Sequence, residues 1–339
     1  MESFEDVRVK VLGFMEKGQR WAMEDTCSME SIVGSSASLI GVYDGHGGNS
    51  AAIYVKEKIG SLLASNRDFH RGNYAESLHQ VFMELERLLI RRGTSGTTAT
   101  VALITATKVF VASVGDSFAM LLQQDGTWIK LTEDHKHSYP GEMDRVRRAG
   151  GSLTADKSIV QQGVHMWQLA MTRSLGDRCF KSNKKFGAEE QAVSPVPDIV
   201  EFEIPQGCGF LVLASDGVDM FCAQSKMEKL LLEDELMSKN KKYMQRAAKE
   251  CGMLSEFNKD NQTLVAIQLK TAACSPVDKL TMNRYSWYTN FGKLAIKKGK
   301  WIKAEGCQKV MVFGFFDGAD VVSSTTLLTV AHNGNLEVA

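Results

Sequence analysis

Two apolar stretches end in an Asp-Gly pair: Leu39-Ile-Gly-Val-Tyr-Asp44-Gly45 and Phe210-Leu-Val-Leu-Ala-Ser-Asp216-Gly217. An unbroken apolar run of this length reads as a strand buried on both faces. Asp-Gly at its end puts a carboxylate at the mouth of a sheet, beside a residue free to turn. Asp260, in Asp260-Asn261 at the head of another strand, and Glu24, just before a further one, extend the set. Carboxylates brought together from distant strands make a site for a hard divalent cation, which takes carboxylate, carbonyl and water oxygens. Gly45 suits a point where a main-chain carbonyl approaches an ion, because no Cβ obstructs it. The chain has no His/Cys cluster with zinc spacing, so oxygen-only ligation points to magnesium or manganese. Taken singly, each piece has a plainer reading. Asp-Gly is a turn, His46 a packing residue, Arg20 a solvated charge, and Asp260-Asn261 a turn or cap.

The elements that must carry these residues follow from periodicity. Apolar residues at helix spacing predict helices over 49–63 and 74–92, with shorter ones over 142–149, 226–235 and 241–251. Strands are expected over 7–15, 25–32, 99–104, 109–114, from 119 onwards, and over 168–172, 210–214 and 263–269; the polar stretch 182–192 reads as a flap or loop. Strands come in neighbouring runs and helices in pairs, without β-α-β alternation. That predicts an α+β fold with antiparallel sheets packed together and helices outside. A small-residue linker at 271–276 divides the chain into a main domain, 1–270, and a β-rich appendage, 271–339, with strands over 310–316 and 325–330. The appendage holds a lysine cluster, Lys293, Lys297, Lys298, Lys300 and Lys303, which is either a solvated face or a surface for an acidic partner.

Bulk chemistry removes other classes. Lys+Arg and Asp+Glu balance at 40 each, so overall charge gives no footing for nucleic acid. Seven scattered cysteines without a CxxC predict a reducing, intracellular setting, cytoplasmic or nuclear. The acidic start does not read as a signal peptide, and no run is long and apolar enough for a membrane span.

The order of the motifs carries more than any one of them. Arg20-Trp-Ala-Met-Glu24-Asp25, Val42-Tyr-Asp44-Gly45-His46-Gly47-Gly48 and Ser95-Gly-Thr-Thr-Ala99 are followed by Val114-Gly-Asp116-Ser117 and Leu131-Thr-Glu-Asp134-His135-Lys136. Then come Arg145 to Gly151, Thr172-Arg173-Ser-Leu-Gly176-Asp177, Pro197-Asp198, Ser215-Asp216-Gly217 and Asp260-Asn261. Over about residues 8–270 this series resembles the metal-dependent type 2C (PPM) serine/threonine protein phosphatases. The resemblance implies an α-β-β-α sandwich, two mainly antiparallel sheets face to face, and hydrolysis of phosphoserine and phosphothreonine on proteins. It implies that Asp44 bridges two Mg²⁺ or Mn²⁺ ions, that Glu24 and the Gly45 carbonyl serve one of them, and that Asp216 and Asp260 serve the other. By the same resemblance Asp25 orients the attacking water, Arg20 clamps the substrate phosphate, and His46 is the general acid for the leaving alkoxide.

Two departures stand out. Phe118 takes the place of an arginine in the usual Gly-Asp-Ser-Arg, and Met220 takes the place of an aspartate that in the family joins the counterpart of Asp116 at a weaker third metal. A thioether is a poor ligand for a hard cation, so this third site is expected to be weakened. The competing expectation is a pseudophosphatase or low-activity scaffold that binds phosphoproteins. A metal-free structural module is the third.

Overall fold

The computed structural model describes residues 2–218 apart from 7, 124, 162–163 and 205–207, residues 258–269, and the segments 282–290, 293–302, 310–317, 320–330 and 336–338. In chain order the elements are β1 (Glu2–Glu5), β2 (Val9–Glu16), β3 (Thr26–Ser31), β4 (Ser38–Tyr43), β5 (Gly45–His46), α1 (Ser50–Ser65), α2 (Arg67–His70), α3 (Tyr74–Leu89), β6 (Gly96–Thr97), β7 (Ala99–Ile104), β8 (Lys108–Val114), β9 (Phe118–Gln123) and β10 (Trp128–Lys130). They continue as α4 (Glu142–Arg148), β11 (Gly151–Leu153), β12 (Ile159–Gln161), β13 (Val164–Leu169), β14 (Leu175–Gly176), β15 (Asp198–Glu203), β16 (Cys208–Ala214), β17 (Gln262–Leu269), β18 (Met282–Asn290), β19 (Lys293–Ile302), β20 (Val310–Asp317), β21 (Asp320–Val330) and β22 (Leu336–Val338).

Two large antiparallel sheets face each other. One runs β1-β2-β17-β16-β9-β10; the other runs β22-β21-β20-β19-β18-β15-β8-β7-β4-β3. The inter-sheet core holds Val9, Val11, Ile40, Val42, Val111, Phe202, Leu211 and Val265. Neighbours of opposite parity, Leu39, Tyr43, Val101, Leu103 and Ala112, instead join the layer under α1 and α3. A strand covered on both sides needs apolar side chains at every position, which is why Leu39–Tyr43 shows no alternation. The helices seat on this sheet through Ala52, Val55, Ile59 and Leu63 of α1 and Leu78, Val81, Phe82 and Leu85 of α3, stripes at the three- and four-residue spacing of a helix.

Several expectations are adjusted. The second helix ends at Leu89. The strand placed at 168–172 is β13, Val164–Leu169. Beyond it, Thr172 N–H donates to the His135 carbonyl (2.7 Å) and Ser174 N–H to that of Ser194 (3.1 Å), so this backbone bridges two loops instead of joining a ladder. The short β11 and β12, and β1 pairing with β2, were too brief or too polar to signal. In the C-terminal segment β18 pairs antiparallel with β15, Ile199 opposite Tyr285, and Tyr285 Oη donates to Glu201 Oε2. Lys293, Lys297, Lys298 and Lys300 fall on β19. The helices expected over 226–235 and 241–251, the linker 271–276, Met220 and Lys303 lie outside the described residues.

Candidate active site

The chain crosses between the two large sheets twice at one end of the sandwich. Residues 17–25 carry it from β2 to β3, and Gly115–Ser117 carry it back from β8 to β9. The registers put the relevant strand ends together, with Tyr43 opposite Thr26, Val114 opposite Ala99, and Ala214 opposite both Leu264 and Phe118. Asp25, Asp44 and Asp116 therefore come from one sheet, Asp216 and Asp260 from the other.

Local hydrogen bonds hold each carrier. Asp44 N–H donates to Thr98 Oγ1 (3.1 Å), and Thr98 N–H donates back to the Asp44 carbonyl (2.9 Å). Ser215 Oγ donates to Asp25 Oδ2 (2.8 Å) and accepts from Thr263 N–H (2.9 Å). Asn261 pins the crossing loop: its Oδ1 accepts from Glu24 N–H (2.7 Å), and its Nδ2 donates to the carbonyls of Lys17 (2.8 Å) and Ala22 (3.0 Å). Gly45 is required for a reason the sequence did not show. A Cβ there would lie 2.5 Å from the Glu24 carbonyl oxygen.

The carboxylates feel one another. Burial, then repulsion from Asp25, Asp216, Asp116 and Asp260, holds the Asp44 carboxyl well above its usual range. Asp216 is pushed up to about 6 by burial and by the charges of Asp116 and Asp260. Asp25 is raised as well, chiefly by burial. Among the described residues, the buried Asp25 Oδ1 and Asp116 Oδ1 have no hydrogen-bond partner. An all-oxygen, anionic set with orphaned buried oxygens fits a hard divalent cation.

Two expected ligands are engaged elsewhere. Arg20 Nη2 lies 2.8 Å from Asp260 Oδ2, and its Nε donates to the Lys259 carbonyl (3.0 Å). Glu24 Oε1 accepts from Gly48 N–H (2.7 Å). Correspondingly, no three His, Cys, Asp or Glu side chains close on one point as an ion cage among the described residues. Lys136 Nζ lies 3.2 Å from Asp116 Oδ2, and His46 Nε2 lies 2.7 Å from Asp177 Oδ2. Burial works to lower the His46 pKa, but the charge and hydrogen bond of Asp177 prevail and raise it.

The profile of the protein phosphatase 2C family matches residues 12–250. The chain belongs to this family. It is 30% identical to probable protein phosphatase 2C 6 of Paramecium tetraurelia, over 75% of this chain and 90% of that one. It is 34% identical to protein phosphatase 1L of Bos taurus, over 60% of this chain and 57% of that one. In fold it is similar to the crystal structure of serine-threonine phosphatase 2C from Toxoplasma gondii, with a TM-score of 0.66 and 18% identity over 79% of this chain and 97% of that one. Protein phosphatase 2C membership carries the enzyme class, protein serine/threonine phosphatase, and the metal dependence typical of it. No helix among the described residues is long and apolar enough to cross a membrane.

Lys136, Asn261 and Asp177 lay inside the quoted motifs, yet no role was read for them. Each acts on a residue distant in sequence, and no spacing rule reports such a contact. A faint signal existed at 135–136, where a basic pair follows a strand. The structure lays it along Gly115, with His135 N–H donating to the Gly115 carbonyl (2.9 Å).

Proposed function

We propose that this phosphatase hydrolyses phosphoserine and phosphothreonine at a centre of two hard divalent cations, Mg²⁺ or Mn²⁺, held by Glu24, Asp44, the Gly45 carbonyl, Asp216 and Asp260. The chief support is the crowding of carboxylates from both sheets at one end of the sandwich, where burial and mutual repulsion raise Asp44 and Asp216. Cations bound there would neutralise phosphate charge and lower the pKa of the attacking water. Asp25, tied by Ser215 through Oδ2 and with Oδ1 unpartnered, orients that water. Arg20 exchanges Asp260 for the substrate phosphate, which its planar fork of donors suits. The same exchange releases Asp260 for its ligand role. His46 protonates the departing serine or threonine oxygen. Asp116, already facing Lys136, makes at most a weak third position. Residues 1–270 form the catalytic unit, and strands β18–β22 of the C-terminal segment extend one of its sheets.

The test is hydrolysis of a phosphothreonine peptide with manganese, magnesium or chelator, beside Asp44→Asn and Asp216→Asn. Turnover should need the ion and fall by about 100-fold or more in both variants. Turnover that survives both chelator and substitution would sink the reading. One observation favours the pseudophosphatase alternative: Asp260 and Glu24 are spent on Arg20 and Gly48. That alternative predicts phosphopeptide binding without turnover.

A further inference from the structure

The reading of His46 as general acid leaves open what aims its ring. We infer that Asp177 is a positioning residue for the phosphatase reaction, fixing the orientation of the His46 imidazole by accepting a hydrogen bond from its Nε2. This rests on the general-acid reading and adds to it a second residue 131 positions away.

The contact is built from the backbone upward. β5, β6 and β14 form a small sheet in which His46 lies opposite Gly96, and Gly96 opposite Gly176. Asp177 is the next residue, so the ladder brings it within reach of the imidazole. Gly96 makes room for it: a Cβ at 96 would lie 2.1 Å from Asp177 Oδ2. A carboxylate only accepts, so Nε2 carries the proton of the 2.7 Å bond. Nδ1 is buried and has no partner among the described residues.

Asp177 is itself held firmly. Its backbone is left-handed, φ 53° and ψ 47°, a conformation costing a non-glycine residue about 1 kcal/mol or more. Its N–H donates to the Ser95 carbonyl (3.2 Å), and Ser174 Oγ donates to its Oδ2 (2.5 Å). The preceding Gly176 N–H donates to Glu86 Oε2 (2.9 Å), and that buried carboxylate pairs with Lys181 (3.0 Å). The side chain is 5% exposed. A carboxylate fixed this tightly has one orientation to give the ring.

The experiment uses the full chain and compares kcat/KM on p-nitrophenyl phosphate, a good leaving group, with a phosphothreonine peptide, a poor one. His46→Ala and Asp177→Ala should each lose at least tenfold more on the peptide, through kcat with KM little changed, and the double variant should be no worse than His46→Ala alone. Nitrogen-15 NMR of the imidazole, read at a pH where the ring is neutral, should show Nε2–H in the wild type and a mixture of tautomers in Asp177→Ala. Asp177→Asn, which fills the same space, carries the test if the alanine variant does not fold. Gly96→Ala should mimic Asp177→Ala by pushing the carboxylate aside. Equal losses on both substrates for the Asp177 variants, or losses that add to those of His46→Ala, would overturn the positioning role while leaving His46 as the acid. A His46→Ala variant without leaving-group bias would overturn both.

Discussion

Asp216→Asn should stabilise the chelator-treated protein at neutral pH, and the size of the effect can be worked out. The Asp216 pKa stands at about 6 against an ordinary 3.8, because burial and the charges of Asp116 and Asp260 oppose its ionisation. At about 1.4 kcal/mol per pKa unit that is about 3 kcal/mol of repulsive cost when the group is charged. The Asp216 side chain is nonetheless exposed to solvent, and screening trims this to about 1–2 kcal/mol. The folded state holds this proton more tightly than the unfolded chain does. The contribution to stability is therefore fully present below about pH 4 and is lost as pH rises through about 6. The variant should match wild type at low pH and exceed it by about 1–2 kcal/mol at pH 8, read by urea unfolding in EDTA. Excess manganese should reverse the order, since an ion at 100 times its Kd adds about 2.7 kcal/mol to a protein that binds it. A variant less stable than wild type in EDTA at pH 8, or equal manganese stabilisation of both, would refute the reasoning.

Other outcomes follow from the supports around the site. Arg173 is buried between Glu142 and Asp198, so Arg173→Met should cost about 3–5 kcal/mol in urea unfolding at pH 7. Its charge, with that of Arg145, outweighs burial and holds Glu142 down at about 2. That stability is present above about pH 4.5 and lost as pH falls, so the penalty should shrink towards pH 2; a pH-independent penalty would contradict the assignment. Asn261→Ala frees the Glu24 N–H and the Lys17 and Ala22 carbonyls. It should cost about 1–3 kcal/mol and speed hydrogen exchange at the Glu24 amide, and unchanged exchange there would remove Asn261 as the pin. Gly45→Ala forces a methyl to within 2.5 Å of the Glu24 carbonyl oxygen. The expected cost is about 1–3 kcal/mol, with weaker manganese binding by calorimetry; wild-type affinity would show that residues 24 and 45 do not share the site.

Legibility in the sequence followed locality. β4 and β16 announced themselves because burial on both faces demands unbroken apolar runs, and α1 and α3 because one stripe seats each on its sheet. Asp44 and Asp216 were visible as the ends of those runs. The convergence of the two was carried by resemblance, since nothing within either string sets the inter-sheet crossings at 17–25 and 115–117. The partners of the catalytic candidates were hidden for the same reason. Asp260 on Arg20 spans 240 residues and Asp177 on His46 spans 131, and both contacts are products of strand register. The strand expected over 168–172 stops at Leu169 because the backbone beyond it turns to loops, with Thr172 N–H donating to the His135 carbonyl, a choice made by tertiary structure.

The division of the acidic residues between two layers makes the site a gauge of how those layers sit. Asp44 rides on one sheet and Asp216 on the other, so a slight slide of sheet over sheet changes their separation directly. Repacking at Phe202 or Leu211, in the interior and away from the carboxylates, would be felt as altered ion affinity even though none of the proposed ligands was touched. Substitutions that tune this enzyme should therefore be sought in its centre as readily as around its mouth.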